Sequence, residues 1–267
     1  MELERSNDKL KRRLAPSGLI THVVELGHTD STNLRLKEGD YPPGTLLYTL
    51  DQQAGRGRLG RTWSAPAGSC LAMSLSIPGE WLDDRLRPLL PLCAALAVCE
   101  GLSALCPDGD FQIKWPNDII CSGHKICGIL CEHSFFDQAQ RTVCGMGINL
   151  TQSAEDFARQ FLPHAGSLAM FFSSVPAAEE ILCAVSEALA ACLKLLRQCG
   201  APPLLRSYAL RCATLGKEVK VCGAAGDFIG TAQALSDDGS LIVKTADGPR
   251  TVHAGEVSVR GLYGYLP

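Results

Sequence analysis

The stretch from Asp51 to Trp63, DQQAGRGRLGRTW, carries the residues of this chain best suited to bind an anion. Its three arginines, Arg56, Arg58 and Arg61, alternate with glycines. Arginine offers a planar fork of donors to phosphate or carboxylate, and glycine lets the backbone come close to a ligand. The pattern predicts a mobile loop that closes over an anionic substrate.

The composition of this loop leaves two other interpretations open. It could be solvated without a ligand, or it could contact RNA, because basic runs often contact nucleic acid. It is not a Walker loop, since the GxxxxGK[ST] spacing is absent. The net charge of -3 argues against a general polyanion binder, which needs many uncompensated Lys and Arg side chains.

A second group of residues that could do chemistry lies between Phe111 and Gly128. Lys114 alternates with apolar neighbours in a predicted strand, a Pro-Asn-Asp turn follows, and Lys125 begins the next strand. A plain hairpin with lysines on its wet face is the simpler interpretation. Gly128 inside the strand favours a close approach of another group to the backbone, and the glycines of the strand at 142–150 favour the same.

Residues 30–33, Asp-Ser-Thr-Asn, precede a predicted helix that begins near Leu34. A simple helix N-cap explains these residue types. Hydroxyl and amide groups at a helix N-terminus can also hold the polar head of a ligand, and both roles can coexist. Trp63, at the end of the arginine loop, is either a core aromatic or a ring that stacks on a nucleobase.

The elements that must position these residues alternate between strands and helices. Helical patterns cover 85–105, 179–198 and 203–215, and strands are predicted at 22–26, 44–50, 71–77, 111–120, 124–132 and 142–150. From Gly216 on, short strands alternate with Gly and Asp turns, at 218–221, 228–235, 241–245, 251–253 and 257–262. A domain boundary is therefore placed near Leu215, with residues 1–20 as an N-terminal arm.

Length and composition fit one large domain and one small one, at 267 residues, 46% apolar and 20% charged. The thirteen cysteines include no CxxC pair, so buried free thiols are expected rather than a zinc site. Without a secretory signal or an apolar run of about 18 residues, a cytoplasmic protein with no membrane segment is expected. The arm is too short for a helix-turn-helix domain, so no DNA-binding domain is expected.

Five motifs, in order between about residues 30 and 150, resemble those of bacterial biotin protein ligases that lack an N-terminal DNA-binding domain. They are DSTN at 30–33, GRGRLGRTW at 55–63, KWPND at 114–118, HKICGIL at 124–130 and GMGIN at 145–149. A sixth, GEVSVR, occupies 255–260. Each motif alone is weak evidence for the family, and the set in this order is specific to it.

The resemblance implies an α+β fold: a class II aminoacyl-tRNA-synthetase-like mixed sheet with helices at 21–215, then a small C-terminal SH3-like β-barrel at 216–267. It implies that ATP and Mg²⁺ activate biotin as biotinyl-5′-AMP, which then biotinylates a lysine of the biotin carboxyl carrier protein of a biotin-dependent carboxylase. A lipoate or octanoate ligase of the same fold and a non-catalytic biotin sensor are the alternatives. A homodimer is left open.

The resemblance also implies roles for individual residues. Biotin contacts are expected from Ser31, Thr32, Asn33, Gln52, Arg56, Gly57, Arg58 and Lys125. Nucleotide contacts are expected from Arg56, Arg58, Arg61, Trp63, Asn117, Asn149 and Arg260. Arg58, Lys125 and Asp118 are the expected catalytic residues. Asp118 either orients or deprotonates the incoming lysine, or belongs to a metal and phosphate network; no metal site made by protein ligands alone is predicted. Leu59 stands where some family members have another arginine.

Overall fold

The computed structural model describes residues 4–136, 139–223, 226–254 and 257–261. In this part of the chain the strands are β1 (Glu4–Ser6), β2 (His22–Leu26), β3 (Thr45–Thr49), β4 (Gly55–Arg56), β5 (Thr62–Trp63), β6 (Cys70–Ile77), β7 (Phe111–Lys114), β8 (Asp118–Cys121), β9 (His124–Phe136), β10 (Ala139–Asn149), β11 (Glu218–Gly223), β12 (Phe228–Leu235), β13 (Leu241–Thr245), β14 (Gly248–Val252) and β15 (Val257–Gly261). The α-helices are α1 (Asp8–Leu14), α2 (Thr32–Glu38), α3 (Leu90–Leu105), α4 (Ala154–Arg159), α5 (Ala178–Cys199) and α6 (Ala201–Arg211). Short 3₁₀ turns occur at Ala15–Ser17, Arg58–Gly60, Gly79–Trp81, Arg87–Leu89 and Leu168–Met170.

The larger part of the fold is an eight-stranded mixed sheet in the order β1-β2-β3-β6-β10-β9-β8-β7. The β2–β3 pair is parallel and the other pairs are antiparallel. β6 lies inside the sheet and all eight of its residues are buried, which fits its nearly unbroken apolar sequence CLAMSLSI. The predicted mixed sheet with helices is confirmed.

Helix α3 packs against α5 and the sheet, and its residues are mostly buried. The 19-residue run Arg87–Leu105 is long and apolar enough to cross a membrane by length and composition, so the expectation that no such run exists is wrong. Two thirds of that run is buried inside the fold, because α5 and the sheet together cover it. A helix that is covered on several sides carries apolar residues around its whole circumference, and the sequence of α3 is of this kind.

The N-terminal residues are more ordered than the predicted arm. β1 extends the main sheet by pairing with β2, and Asn7 caps α1 by accepting from the Leu10 backbone N–H at 3.1 Å. Leu10 and Leu14 are four residues apart on α1, and both are buried in the core. Residues 8–14 thus form a packed helix within the predicted N-terminal arm, because this spacing gives α1 an apolar face that packs against α5.

The C-terminal part is a five-stranded antiparallel sheet in the order β14-β13-β12-β11-β15. Its strands occupy the regions predicted from the turn pattern, although residue 262 lies outside the described residues. The sheet is fixed to the larger part through Trp115, whose indole N–H donates to the Gly239 carbonyl at 3.1 Å and whose backbone N–H donates to Thr214 Oγ at 3.0 Å. The turn after Lys114 is therefore held from both parts of the fold.

Helix α6 ends at Arg211, four residues before the predicted end at 215. The next residue, Cys212, has extended φ/ψ, and the Ala213 N–H donates to the Ile113 carbonyl on β7 at 2.9 Å. Pairing with the sheet thus replaces the last helical turn. Helix α4 was not predicted; Ser153 and Asp156 form a capping box at its start.

Candidate functional site

A cavity of about 360 Å³ lies beside the ends of the arginine loop, α2, β8 and β9. Every predicted site residue except Arg260 lines it, namely Ser31, Thr32, Asn33, Gln52, Arg56, Gly57, Arg58, Arg61, Trp63, Asn117, Asp118, Lys125 and Asn149. The fold therefore brings residues that are far apart in sequence to one place. Their side chains form two groups. The neutral polar cluster contains Ser31, Thr32, Asn33 and Gln52, and the cationic cluster contains Arg56, Arg58, Arg61 and Lys125 around Asp118.

The neutral cluster begins at the start of α2. Ser31 is the N-cap, and its Oγ accepts from the Leu34 N–H at 3.4 Å. The Thr32 N–H donates to Gln52 Oε1 at 2.9 Å, which fixes that amide next to the helix. Ser31 thus caps the helix and also lines the cavity, and the sequence had left both roles open.

Ser74, on β6, connects Thr32 to Asn33 and is fully buried. Its Oγ lies 2.6 Å from Thr32 Oγ1 and 2.6 Å from Asn33 Oδ1. Asn33 Nδ2 donates to the Leu130 carbonyl at 3.1 Å and to a Glu132 carboxylate oxygen at 2.9 Å. Asn33 is therefore engaged by protein groups at both ends of its amide.

These bonds fix the direction in which the hydroxyl protons point. Because Asn33 Nδ2 faces two acceptors, Asn33 Oδ1 is the acceptor of the Ser74 hydroxyl proton. The Thr32 hydroxyl proton then goes to Ser74 Oγ, at 2.6 Å, or to Gln52 Oε1, at 3.2 Å. With that proton committed, Thr32 Oγ1 offers only lone pairs to a ligand, so the ligand group that meets it has to be a hydrogen-bond donor.

The cationic cluster is centred on Asp118, the acidic residue among the described lining residues. Asp118 Oδ1 is 2.6 Å from Lys125 Nζ, and Oδ2 is 4.0 Å from Lys114 Nζ. Burial and, to a smaller extent, the nearby charges of Lys125, Arg61 and Arg260 together lower the pKa of Lys114 to about 8 against the attraction of Asp118. Positive charge is thus concentrated at this end of the cavity.

A β-bulge brings Lys125 to the cavity. In the β8–β9 pair, Ile120 is opposite Lys125 but Ile119 is opposite Cys127, which leaves Ile126 as the extra residue. Lys125 and Gly128 both line the cavity, although residues three apart lie on opposite faces of a regular strand. The backbone of Lys125 is held by the His164 carbonyl at 2.8 Å and the Gly166 N–H at 2.9 Å.

Trp63 packs on two glycines that are opposite each other in the sheet, Gly128 and Gly147. A Cβ at Gly128 would lie 2.9 Å from the indole, and one at Gly147 would lie 2.7 Å from it. The close approach predicted at Gly128 is therefore made by the chain's own tryptophan. Lys125 Nζ lies 5.5 Å from the ring centroid, so the indole also faces the cationic cluster.

The arginine loop is a small hairpin, in which β4 pairs with β5. The Gly57 N–H donates to the Arg61 carbonyl at 2.7 Å. At the tip, Leu59 has φ of 56° and Gly60 has φ of 72°, both in the left-handed region. The loop is thus a defined turn that places Arg58 inward.

Arg58 links the loop to both parts of the fold. Its Nη1 donates to Asn117 Oδ1 at 2.8 Å, and its Nη2 donates to the Ala254 carbonyl, just after β14. Asn117 in turn donates from Nδ2 to the Ile129 carbonyl at 2.7 Å. The arginine loop, the turn after Lys114 and the C-terminal part are therefore held together by one guanidinium.

Two residues predicted to contact the nucleotide, Asn149 and Arg260, differ in their position relative to the cavity. Asn149 is buried, and it donates to the Gly166 carbonyl at 2.9 Å while Gln152 donates to its Oδ1 at 3.1 Å, so it supports the cavity wall. Arg260, on β15, is exposed and does not line the cavity, although its neighbour Val259 does. Residues 255 and 256 of the sixth motif lie outside the described residues.

Ser74 and the segment 157–165 were not predicted to belong to the site, and Lys114 was considered but assigned no contact; all of them contribute lining residues. A serine in the apolar run CLAMSLSI and a lysine in the apolar run FQIK were the available signals, because buried polar residues in strands need partners. The segment 157–165 carries no pattern that points to a cavity.

The donor set does not form a protein-only metal site. Among the residues that the structure describes, no group of three or more His, Cys, Asp and Glu could hold a metal ion. Mg²⁺ is usually held by one or two carboxylates together with substrate phosphates. The single lining carboxylate, Asp118, fits a Mg²⁺ that arrives with a nucleotide.

Comparisons with known proteins agree with the residue pattern. The model of the Biotin/lipoate A/B protein ligase family matches residues 25–149, and that of the Biotin protein ligase C terminal domain matches residues 214–260. The "Bifunctional ligase/repressor BirA" of Bacillus subtilis is 32% identical over 259 residues, which cover 94% of this chain and 76% of that protein. The "Biotin--[acetyl-CoA-carboxylase] ligase" of Mycobacterium tuberculosis is 31% identical over 239 residues, 88% of this chain and 86% of that protein.

Among solved structures, one titled "Biotin protein ligase from Aquifex aeolicus in complex with biotin and ATP" superimposes with a TM-score of 0.79 at 29% identity. The match covers 90% of this chain and 98% of that chain. It therefore includes both the mixed sheet and the C-terminal antiparallel sheet.

Proposed function

The chain belongs to the biotin protein ligase family, and on that premise we propose that its cavity joins biotin to AMP and then passes biotin to a lysine of a carrier protein. The enzyme is an ATP-dependent biotin ligase. One observation carries the proposal: a single cavity combines a neutral polar cluster with a cluster of lysines and arginines. This combination suits a neutral head group attached to a carboxylate that must meet a phosphate.

The reaction has two steps. A carboxylate oxygen of biotin attacks the α-phosphate of ATP, pyrophosphate leaves, and biotinyl-5′-AMP forms. The ε-amine of the carrier lysine then attacks the mixed anhydride, AMP leaves, and the amine loses its proton. Because the first step joins two anions, positive charge must be in place before the bond forms.

Lys125 and the arginine loop supply that charge. We assign Lys125 to the carboxylate and the reacting phosphate, and Arg56, Gly57 and Arg58 to the loop that covers biotin and the adenylate. Asp118 holds Lys125 Nζ at 2.6 Å, so we assign it to orienting that lysine and to the phosphate and Mg²⁺ network rather than to deprotonating the carrier lysine. When bound, Mg²⁺ adds charge neutralisation at the phosphates.

The neutral cluster fits the ureido ring of biotin. Thr32 Oγ1 presents lone pairs, and a urea N–H is the donor that this geometry requires. Ser31, Asn33 and Gln52 complete this cluster, with Asn33 acting through Ser74. A dithiolane ring or a plain octanoyl chain carries no such donor, which favours biotin over lipoate or octanoate.

Replacing Ser74 by alanine is expected to raise the KM for biotin about tenfold and to leave the KM for ATP unchanged. The substitution removes the 2.6 Å contact that positions Thr32 Oγ1 and leaves the buried Asn33 Oδ1 without its donor, and such a loss costs about 1–3 kcal/mol. Steady-state kinetics with each substrate varied in turn measures the effect. Ser76→Ala, on the same buried strand, is the control, and an unchanged KM for biotin in Ser74→Ala would refute this assignment.

The nucleotide belongs at the cationic cluster. We propose that Trp63 packs beside adenine, that Asn117 and Asn149 support the nucleotide, and that Arg61 and Arg260 add charge on its phosphate side. Lys114, to which the resemblance gave no role, joins them because it lies 4.0 Å from Asp118 in the same cavity.

The affinity for ATP is expected to fall as pH rises through about 8, because burial lowers the pKa of Lys114 to about that value and the neutral amine no longer attracts phosphate. The unfolded lysine keeps a pKa near 10.5, so the unfolded state binds more protons between these values. The contribution of Lys114 to the free energy of unfolding therefore rises with pH over the same range.

Isothermal titration calorimetry with ATP across this pH range measures the expected fall in ATP affinity. Urea unfolding at each pH measures the expected rise in the free energy of unfolding. Lys114→Met should weaken ATP binding about 10- to 100-fold at neutral pH, as expected for a lost charged hydrogen bond, and should flatten both profiles. Parallel profiles for the two proteins would contradict the assignment of the titration to Lys114.

Finer structural and cellular features are also proposals. We propose that the mixed sheet is of the class II aminoacyl-tRNA-synthetase-like kind, that the five-stranded sheet closes as an SH3-like barrel, and that the boundary lies near Leu215. All thirteen cysteines are free, and burial raises the pKa of Cys70 to about 11, which makes that thiol a poor nucleophile. Free thiols suit a reducing compartment, and we propose the cytoplasm.

One assay tests the function. The purified protein, ATP, Mg²⁺ and either biotin, lipoate or octanoate are incubated with the carrier domain of a biotin-dependent carboxylase, and the carrier is weighed by mass spectrometry. The expected result is ATP-dependent addition of biotin alone. Addition of lipoyl or octanoyl groups instead would favour the lipoate-type ligase. The absence of both pyrophosphate turnover and a labelled carrier would favour the non-catalytic biotin sensor.

A further inference from the structure

The carrier lysine has to reach an anhydride formed inside the cavity, a requirement that rests on the proposed function. A flexible four-carbon side chain joins its ammonium group to the backbone of a folded domain. A side chain of that length cannot span the cavity while the domain stays away from it. The surface of the carrier domain must therefore touch the rim of the cavity.

The rim contains large apolar side chains that the fold leaves in solvent. Leu59, at the tip of the arginine loop, is 56% exposed, and Phe161, just after α4, is 91% exposed. Leu162 is 45% exposed, and all three border the cavity. Grouped exposed apolar residues of this size mark interaction sites more often than isolated ones do.

Backbone geometry holds two of these side chains outward. Leu59 and Phe161 each have φ of 56°, a left-handed value that is uncommon for bulky residues. The Phe161 N–H donates to the Ala158 carbonyl at 3.0 Å, and the Leu162 N–H donates to the Phe157 carbonyl at 2.9 Å. These bonds close a tight turn after α4 that presents Phe161 to solvent.

We propose that Leu59, Phe161 and Leu162 form the docking surface for the carrier domain, and that they pack against an apolar patch beside its acceptor lysine. The surface is continuous with the cavity where the lysine must enter, and this continuity identifies the occupant. Leu210 offers a matched control: it is 89% exposed on α6 and does not border the cavity.

The test separates docking from chemistry. Phe161→Asn and Leu162→Asn remove two of the apolar side chains, and asparagine tolerates the left-handed φ of residue 161 better than other non-glycine residues, so the turn is retained. Three rates are measured for wild type, both variants and Leu210→Asn: pyrophosphate release with biotin and ATP, biotinyl hydroxamate formation with hydroxylamine as a small acceptor, and biotin transfer to the isolated carrier domain.

Phe161→Asn is expected to lower kcat/KM for the carrier domain at least about tenfold, through KM, as for a buried aromatic at the centre of an interface. Leu162→Asn should give a smaller loss of the same kind. Pyrophosphate release and hydroxamate formation should match wild type in both, and Leu210→Asn should match wild type in all three rates.

Other outcomes overturn the inference. An unchanged KM for the carrier domain excludes docking at these residues. A raised KM for ATP with slower hydroxamate formation means that Phe161 covers the nucleotide instead. The wild type could sediment as a dimer while the variants sediment as monomers with unchanged carrier kinetics. That result means that a second copy of the chain covers the surface. If wild type itself releases no pyrophosphate, the proposed function fails, and the docking inference falls with it.

Discussion

Lys125→Gln is expected to slow formation of biotinyl-5′-AMP about 10²- to 10³-fold, by analogy with the loss of other preorganised charged donors. Lys125 lines the cavity, and Asp118 fixes its ammonium group at 2.6 Å. The fold also holds its backbone through the carbonyl of His164. The amine is therefore in place before the carboxylate and phosphate meet, and glutamine keeps the approximate length without the charge.

The measurement is the rate of pyrophosphate release with saturating biotin and ATP. Lys37→Gln is the matched control, because Lys37 is also ion-paired at 2.6 Å, to Glu132, but does not line the cavity. Thermal unfolding of both variants checks that each is folded. Adenylation by Lys125→Gln within a few-fold of wild type would contradict the charge-screening role.

Arg58→Ala is expected to lower kcat/KM for biotin about 10²- to 10³-fold and to let the adenylate escape. Arg58 connects the loop to Asn117 and to the Ala254 carbonyl, so alanine removes both the charge and the connection. A loop that is no longer held admits water to the mixed anhydride. AMP should then form without a carrier, at a rate that approaches the rate of pyrophosphate release.

Arg58→Lys separates the two effects, because lysine keeps the charge but lacks the fork that reaches two acceptors at once. It should recover much of the adenylation rate while carrier-independent AMP formation stays high. If Arg58→Ala made no more free AMP than wild type does, the loop would not be the barrier to water.

Most residues that line the cavity could be predicted from the sequence because they belong to short motifs. The alternation of Arg56 and Arg58 with glycines, and the polar cap before α2, are local patterns whose physical meaning does not depend on the rest of the fold. Lys125 was identified by its motif, but its place in the cavity depends on a bulge at Ile126 that no strand pattern specifies.

Other parts of the site depend on packing between distant segments. Trp63 lies on Gly128 and Gly147 because two strands pair in one register, and no local signal reports that pairing. Ser74 meets Asn33 across 41 residues of sequence. The N-terminal strand β1 likewise forms only because the edge of the main sheet is available to it.

We propose that the arginine loop closes over the joined substrates while Lys125 screens the carboxylate from the phosphate. A crystal structure of the enzyme with a non-hydrolysable analogue of biotinyl-5′-AMP is the decisive test. We expect residues 55–63 to cover the ligand, with Lys125 Nζ within hydrogen-bond distance of the linkage and Thr32 Oγ1 accepting from a ureido N–H. A ligand left uncovered by this loop, or a linkage that Lys125 does not touch, would contradict it.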